Sequence, residues 1–206
     1  MKTRRVSKRL KSRVRVESDE SEQAHLGVGL LGVSRTDPRR YALRLLSVIL
    51  GENMSSRLFQ ALRERSGYCY AVQSSTVLLE ETGALSVFAD LDPSKLPGAV
   101  RVLRREVERL GERGLTAKEL KRAKDYAVGQ TQIGLDSSTQ QIAWMAESLM
   151  AMGRIPELEE VEAGFHAVEA TQIRELAAGI WQPERMGVAL VGPGYPLGEV
   201  KRLFFA

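Results

Sequence analysis

The chain has 206 residues, 43% hydrophobic and 27% charged, which is long enough for one domain with a substantial core and short for two. Its formal charge of +4 is concentrated: residues 1–15 hold eight Lys or Arg and no acid, leaving 22 basic against 26 acidic residues elsewhere. No basic stripe with interleaved aromatics and no apolar run near ~20 residues is present, which argues against nucleic-acid and membrane partners.

Residues 1–20 read as a basic linker or arm, with a transit peptide and a nucleic-acid arm as other readings of the same run. The folded domain is expected over residues 21–206. Its first element is a strand over Ala24–Val33, where Leu26, Val28 and Leu30 alternate with Gly27 and Gly29, a pattern suggesting close packing on the glycine side. Asp37-Pro38 then supplies an N-cap and a first-turn proline for a helix that carries Tyr41, Leu45, Val48 and Ile49 and stops at Gly51. A second helix starts at Ser55 or Ser56, runs to about Arg65, and ends at Gly67.

Two strand-like runs follow, Cys69–Leu78 and Ala84–Leu91. In the second, Leu85, Val87, Ala89 and Leu91 share one face while Ser86 and Asp90 share the other, as in an antiparallel hairpin. Asp92-Pro93 opens a long helix whose apolar positions Leu96, Ala99, Val100, Leu103, Val107 and Leu110 step by three and four. Thr116 with Glu119 forms a capping box for the next helix, which breaks near Gly134 and resumes to about Met152. Helices near Glu157–Phe165 and Glu169–Ile180 precede a last strand over Met186–Val191. Strands and helices do not alternate strictly, so the expected class is α+β, an antiparallel sheet covered by helices.

The chemical inventory is thin. The two histidines, His25 and His166, belong to neither H-E-x-x-H nor H-x-x-E-H, so no local ligand set for a catalytic zinc is expected. No G-x-S-x-G elbow surrounds the pairs Ser55-Ser56, Ser74-Ser75 or Ser137-Ser138, which read as capping or turn residues. Gly27-Val28-Gly29 does not continue into a dinucleotide fingerprint. Cys69 cannot form an internal disulfide and fits a reducing, cytoplasmic compartment. A nucleophile pair of Cys69 with a histidine has no supporting motif around it.

One constellation stands out: LGENMSSRLF over Leu50–Phe59, then LRERSGYCYAV over Leu62–Val72. With EQAHL at Glu22–Leu26, ELKRAK at Glu119–Lys124 and VGP at Val191–Pro193, it resembles the C-terminal, zinc-free half of the pitrilysin/insulinase family of zinc metallopeptidases. The likeness is strongest to the compact bacterial members related to mitochondrial processing peptidase, and covers residues 20–193 in order.

The resemblance implies a divided active site. It implies that zinc sits on a zinc-motif-bearing N-terminal half or partner subunit, and that this chain holds no metal or cofactor. It also implies that Arg63 and Tyr70, seven residues apart, are the catalytic donors this half contributes. Tyr68, at a separation of five, does not fit the pattern. The substrate class would be unfolded peptides, and the isolated half would be inactive and open to self-association through its bare mating surface. A non-catalytic scaffold or assembly subunit of the same fold is the alternative. Whether the chain is a fragment or a separate subunit stays open.

Overall fold

The computed structural model describes residues 13–205. The elements are β1 (Arg13–Ser18), β2 (Ala24–Leu31), α1 (Arg40–Gly51), a π-helix (Phe59–Arg65), β3 (Cys69–Leu78), β4 (Gly83–Leu91), α2 (Leu96–Arg113), α3 (Ala117–Leu135), α4 (Ser138–Met152), α5 (Leu158–His166), α6 (Ala170–Ile180), β5 (Met186–Gly192) and α7 (Leu197–Phe205). The strands form one sheet in the order β1-β5-β2-β4-β3. Strand β1 runs parallel to β5, and every other pairing is antiparallel.

The α+β architecture matches the expectation from sequence, with one helical layer on one face of the sheet. Ala24, Leu26, Val28 and Leu30 of β2, Leu85, Val87, Ala89 and Leu91 of β4, and Met186, Val188 and Leu190 of β5 are buried beneath that layer. Opposite them α1 supplies Leu43, Leu45, Leu46 and Leu50, and α2 supplies the stripe Leu96, Ala99, Val100, Leu103, Val107 and Leu110, all buried. Burial of these aliphatic chains is the main stabilising term, roughly 1.5–3 kcal/mol each before entropy is charged against it.

Several differences from the sequence reading have local causes. Arg13–Ser18, read as part of a solvated arm, is an edge strand. Arg15 and Glu17 are exposed, while Val14 and Val16 pair with Val188 and Leu190 and pack on the core. The rest of the basic run, residues 1–12, lies outside the described residues. Asp37 makes its cap contact one turn early: its carboxylate accepts from the Arg39 N–H at 2.8 Å, and the helix proper begins at Arg40. Ser74 is a strand residue, not a turn residue; buried against α1, its hydroxyl donates to the Ser47 carbonyl at 2.7 Å. Helix α7 has no counterpart in the sequence reading.

The capping box is present as expected. Thr116 Oγ1 accepts from the Glu119 N–H at 3.2 Å, and Glu119 accepts from the Thr116 N–H at 2.9 Å. Burial pushes the Glu119 carboxyl up, but Arg57 and the Thr116 donors outweigh it and hold it below its ordinary 4.5. Thr116→Ala should therefore lower stability to urea by about 1 kcal/mol at neutral pH. A group depressed in the folded state stabilises above its unfolded pKa and loses that contribution as pH falls through the folded one. The penalty of Glu119→Gln, measured by urea unfolding, should accordingly be largest near neutrality and fade at pH values below 4.5.

Candidate functional site

The second face of the sheet is left open among the described residues, with only Lys201 of α7 reaching the hollow over Gly27, Gly29 and Gly187. Cross-strand register lays it out in rows: Ala71, Asp90, His25 and Val191; then Gln73, Phe88, Gly27 and Ala189; then Ser75, Ser86, Gly29 and Gly187. The glycine side of β2 is therefore largely bare. Only the Phe88 ring lies over Gly27, where an added Cβ would meet it at 3.4 Å, and Phe88 itself is exposed.

Arg63 and Tyr70 flank the turn that leads onto this face. The chain enters as the π-helix, where the sequence pattern predicts an ordinary helix, and Arg63 lies in its last turn. Its wider turn has no 3.6-residue signature, and such segments concentrate at functional sites. The guanidinium stacks over the Phe59 ring, 5.0 Å from its centroid. The Gly67 N–H donates back to the Arg63 carbonyl at 3.1 Å and the Tyr68 N–H to the Leu62 carbonyl at 2.8 Å, so helix end and strand start are tied together. Gly67 sits at φ +59°, a left-handed conformation that glycine adopts without penalty.

Tyr70 is the extra residue of a β-bulge. Cys69 pairs with Leu91 and Ala71 with Asp90, so two residues of β3, Tyr70 and Ala71, face one residue of β4. Both point outward, and Tyr70 is 60% exposed. Its hydroxyl makes no hydrogen bond with a described residue, and Arg63 makes no ion pair. The π-helix and the bulge thus present two donors with no hydrogen-bond partner among the described residues, on either side of a three-residue turn, although no hydrogen bond joins them.

Cys69, between them in sequence, is buried. Burial pushes its thiol up to about 11, with Arg63 pulling the other way and Asp90 adding to the rise. That separates Cys69 from nucleophilic chemistry. Against the unperturbed thiol at 9.0, its thiolate is about a hundredfold scarcer at neutral pH, and alkylation by a thiol reagent should be slower by at least that factor. Labelling at the rate of free cysteine would contradict the buried placement.

The sequence reading set His25 aside. It stands beside this turn, its Nδ1 2.7 Å from Asp90 Oδ1 across the β2–β4 pair, with Asp90 opposite Ala71 on β4's other side. The alternation that sends Asp90 away from the core was the available signal, but nothing in the sequence shows which strand pairs with β4 at that point. His166, at the end of α5, offers its carbonyl to Lys124 at 2.7 Å. The histidines thus sit in separate environments. No group of three or more His, Cys, Asp or Glu among the described residues is placed to hold a metal ion, so those residues offer no fitting ligand set for a catalytic zinc. No helix among the described residues is long and apolar enough to cross a membrane.

The sequence matches the family described as the peptidase M16 inactive domain over residues 2–126. An uncharacterized zinc protease of Streptomyces coelicolor is 32% identical over 185 residues, spanning 90% of this chain and 40% of that protein. The mitochondrial-processing peptidase subunit beta of Pongo abelii is 26% identical over 201 residues, spanning 93% of this chain and 41% of the relative. Among solved structures, a peptidase M16 inactive domain from Pseudomonas fluorescens shares the fold. Its TM-score is 0.76 at 22% identity, covering 90% of this chain and 44% of that one. The chain spans about two fifths of the length of the curated relatives it matches.

Proposed function

Because the chain belongs to the peptidase M16 inactive-domain family, we propose that it acts as the substrate-orienting half of a divided peptidase site, inactive until it meets a zinc-motif-bearing half. The observation that carries this reading is the presentation of Arg63 and Tyr70 on either side of one short turn, both exposed, with neither side chain hydrogen-bonded to a described residue and the Arg63 guanidinium held over the Phe59 ring. A guanidinium and a phenol are hydrogen-bond donors. Placed about the carbonyl of a bound peptide, they hold it in one orientation. They then strengthen their hydrogen bonds as negative charge builds on its oxygen, which is how fixed donors lower a barrier. The metal and the general base would belong to the other half.

The occupant would be an extended, unfolded peptide, since the bare sheet face is a shallow surface and not an enclosed pocket for a small molecule. In this reading the assembled protein works in the cytoplasm. Contact with the mate is supported by α4, an apolar helix that the fold leaves largely uncovered. Ile142, Leu149 and Met150 on it are exposed, as are Ile133 on α3 and Ile155 beyond α4. Exposed apolar side chains gathered on and around one helix would suit a docking surface and would favour self-association of the unpaired chain.

The test is cleavage of an unstructured fluorogenic peptide by this chain alone, by a zinc-motif-bearing half alone, and by the two mixed with zinc. Cleavage in the mixture only is expected. Turnover by this chain alone, or silence of a demonstrated complex, would overturn the reading.

A further inference from the structure

We propose that the cleft bounded by the segment around the π-helix, the C-terminal end of α2 and the N-terminal end of α3 binds a small polyphosphate-type oxyanion. The cleft measures about 470 Å³, and Arg57, Arg65, Arg109 and Arg113 all line it. Two carboxylates on the same wall, Glu106 and Glu119, oppose four guanidinium groups, leaving two positive charges in excess.

The pairing is uneven. Arg57 is committed: its Nε and Nη2 reach the Glu119 carboxylate at 2.9 and 3.3 Å, and Nη2 also donates to the Gly114 carbonyl at 3.0 Å. Arg109 has only a long contact of 3.4 Å to Glu106, which is itself 5% exposed. Arg65 and Arg113 make no hydrogen bond or ion pair with any described residue, although both line the cleft and are exposed. Arg65 and Arg113 share the cleft with no carboxylate among the described residues paired to either, and an anion between them would offset their mutual repulsion.

A second observation on the same wall is independent of charge. Ser56 lines the cleft, is 2% exposed, and its buried hydroxyl has no hydrogen-bond partner. Buried hydroxyls are nearly always satisfied, and the Ser56 hydroxyl, next in sequence to the committed Arg57, is an orphan on the cleft wall.

Chemistry selects the ligand class. Arginine forks match the oxygens of phosphate with paired charge-assisted hydrogen bonds. The spread of donors over two helices and a turn suits a di- or triphosphate better than a single phosphate, and the cleft is too small for a folded macromolecule. A soluble polyphosphate and a lipid phosphate headgroup share this chemistry; the proposal is for the soluble form.

The experiment is calorimetric titration of the 206-residue chain with sodium tripolyphosphate at low salt, against chloride of matched ionic strength. Saturable one-site binding is expected, weakening as salt rises. The Arg65→Ala/Arg113→Ala double variant should bind at least tenfold more weakly, while Arg65→Lys/Arg113→Lys keeps part of the affinity by keeping the charge. Both side chains are exposed, so unchanged thermal unfolding of the variants would confirm that loss of binding is not loss of fold. An absence of saturable binding by the wild type, or equal binding by the double Ala variant, overturns the proposal. In a parallel arm with phosphatidic acid vesicles, the chain should stay in the supernatant. Co-sedimentation without any response to tripolyphosphate would overturn the soluble-ligand assignment.

Discussion

Arg63→Ala combined with Tyr70→Phe, in this chain assembled with a zinc-motif-bearing half, is expected to lower kcat by about 10²–10³-fold while the complex still forms. The size follows from what single donors to a developing oxyanion contribute elsewhere, about 2.7–4 kcal/mol each, with the two not simply additive. The effect should appear in kcat more than in KM, because the donors gain most as charge develops on the carbonyl oxygen. Neither residue supports the fold. Arg63 is exposed and stacks on the Phe59 ring, and the Tyr70 hydroxyl has no hydrogen-bond partner among the described residues. Assembly that fails while activity per complex is unchanged would instead favour a non-catalytic scaffold role. Tyr68→Phe is the matched control. Its ring packs against the core, close enough to Gly98 that a Cβ there would meet it at 2.8 Å, so it should leave kcat unaltered.

The second large effect concerns stability. Leu85→Ala removes a fully buried side chain from β4, which lies between β2 and β3 beneath the helical layer. Ladder hydrogen bonds on both sides hold that strand, so the backbone cannot collapse into the space. The cost should sit within the range for buried leucine truncations, about 2–5 kcal/mol. For a domain of this size that corresponds to a fall in Tm of roughly 5–20 °C by calorimetry. Phe88→Ala on the same strand, facing the bare side and 47% exposed, should cost far less despite removing a larger side chain. Equal losses at the two positions would mean that the open face is covered.

What the sequence made legible were features that local physics dictates. The three-four spacing of Leu96 through Leu110 fixes a buried stripe whatever lies opposite, and the Thr116–Glu119 box closes within four residues. The hairpin of β3 and β4 follows from alternation alone. Features set by distant partners were hidden. Val14 and Val16 alternate properly with charged neighbours, yet the strand forms only because β5, some 170 residues later, lies alongside. The π-helix was invisible because an apolar pattern over seven residues does not distinguish a wider turn from an α-turn. Helix α4 was legible as a helix but not in its burial, since Ser148 is the one residue of it that is buried. Arg63 and Tyr70 were nameable only through resemblance, since an arginine in a last helical turn and a tyrosine on a strand are ordinary in themselves.

The π-helix and the bulge at Tyr70 have a shared arithmetic: each is a regular element carrying one residue too many, and the two stand on opposite sides of Gly67. Chain length, more than residue identity, therefore aims both side chains. Losing one residue from 59–65 would let the segment tighten into an α-turn and swing Arg63 by about 100° relative to the preceding Leu58. Losing one at the bulge would regularise β3 and exchange inward for outward side chains from that point toward its start. Natural variation here should thus be poor in insertion or deletion, the reverse of what surface turns ordinarily tolerate.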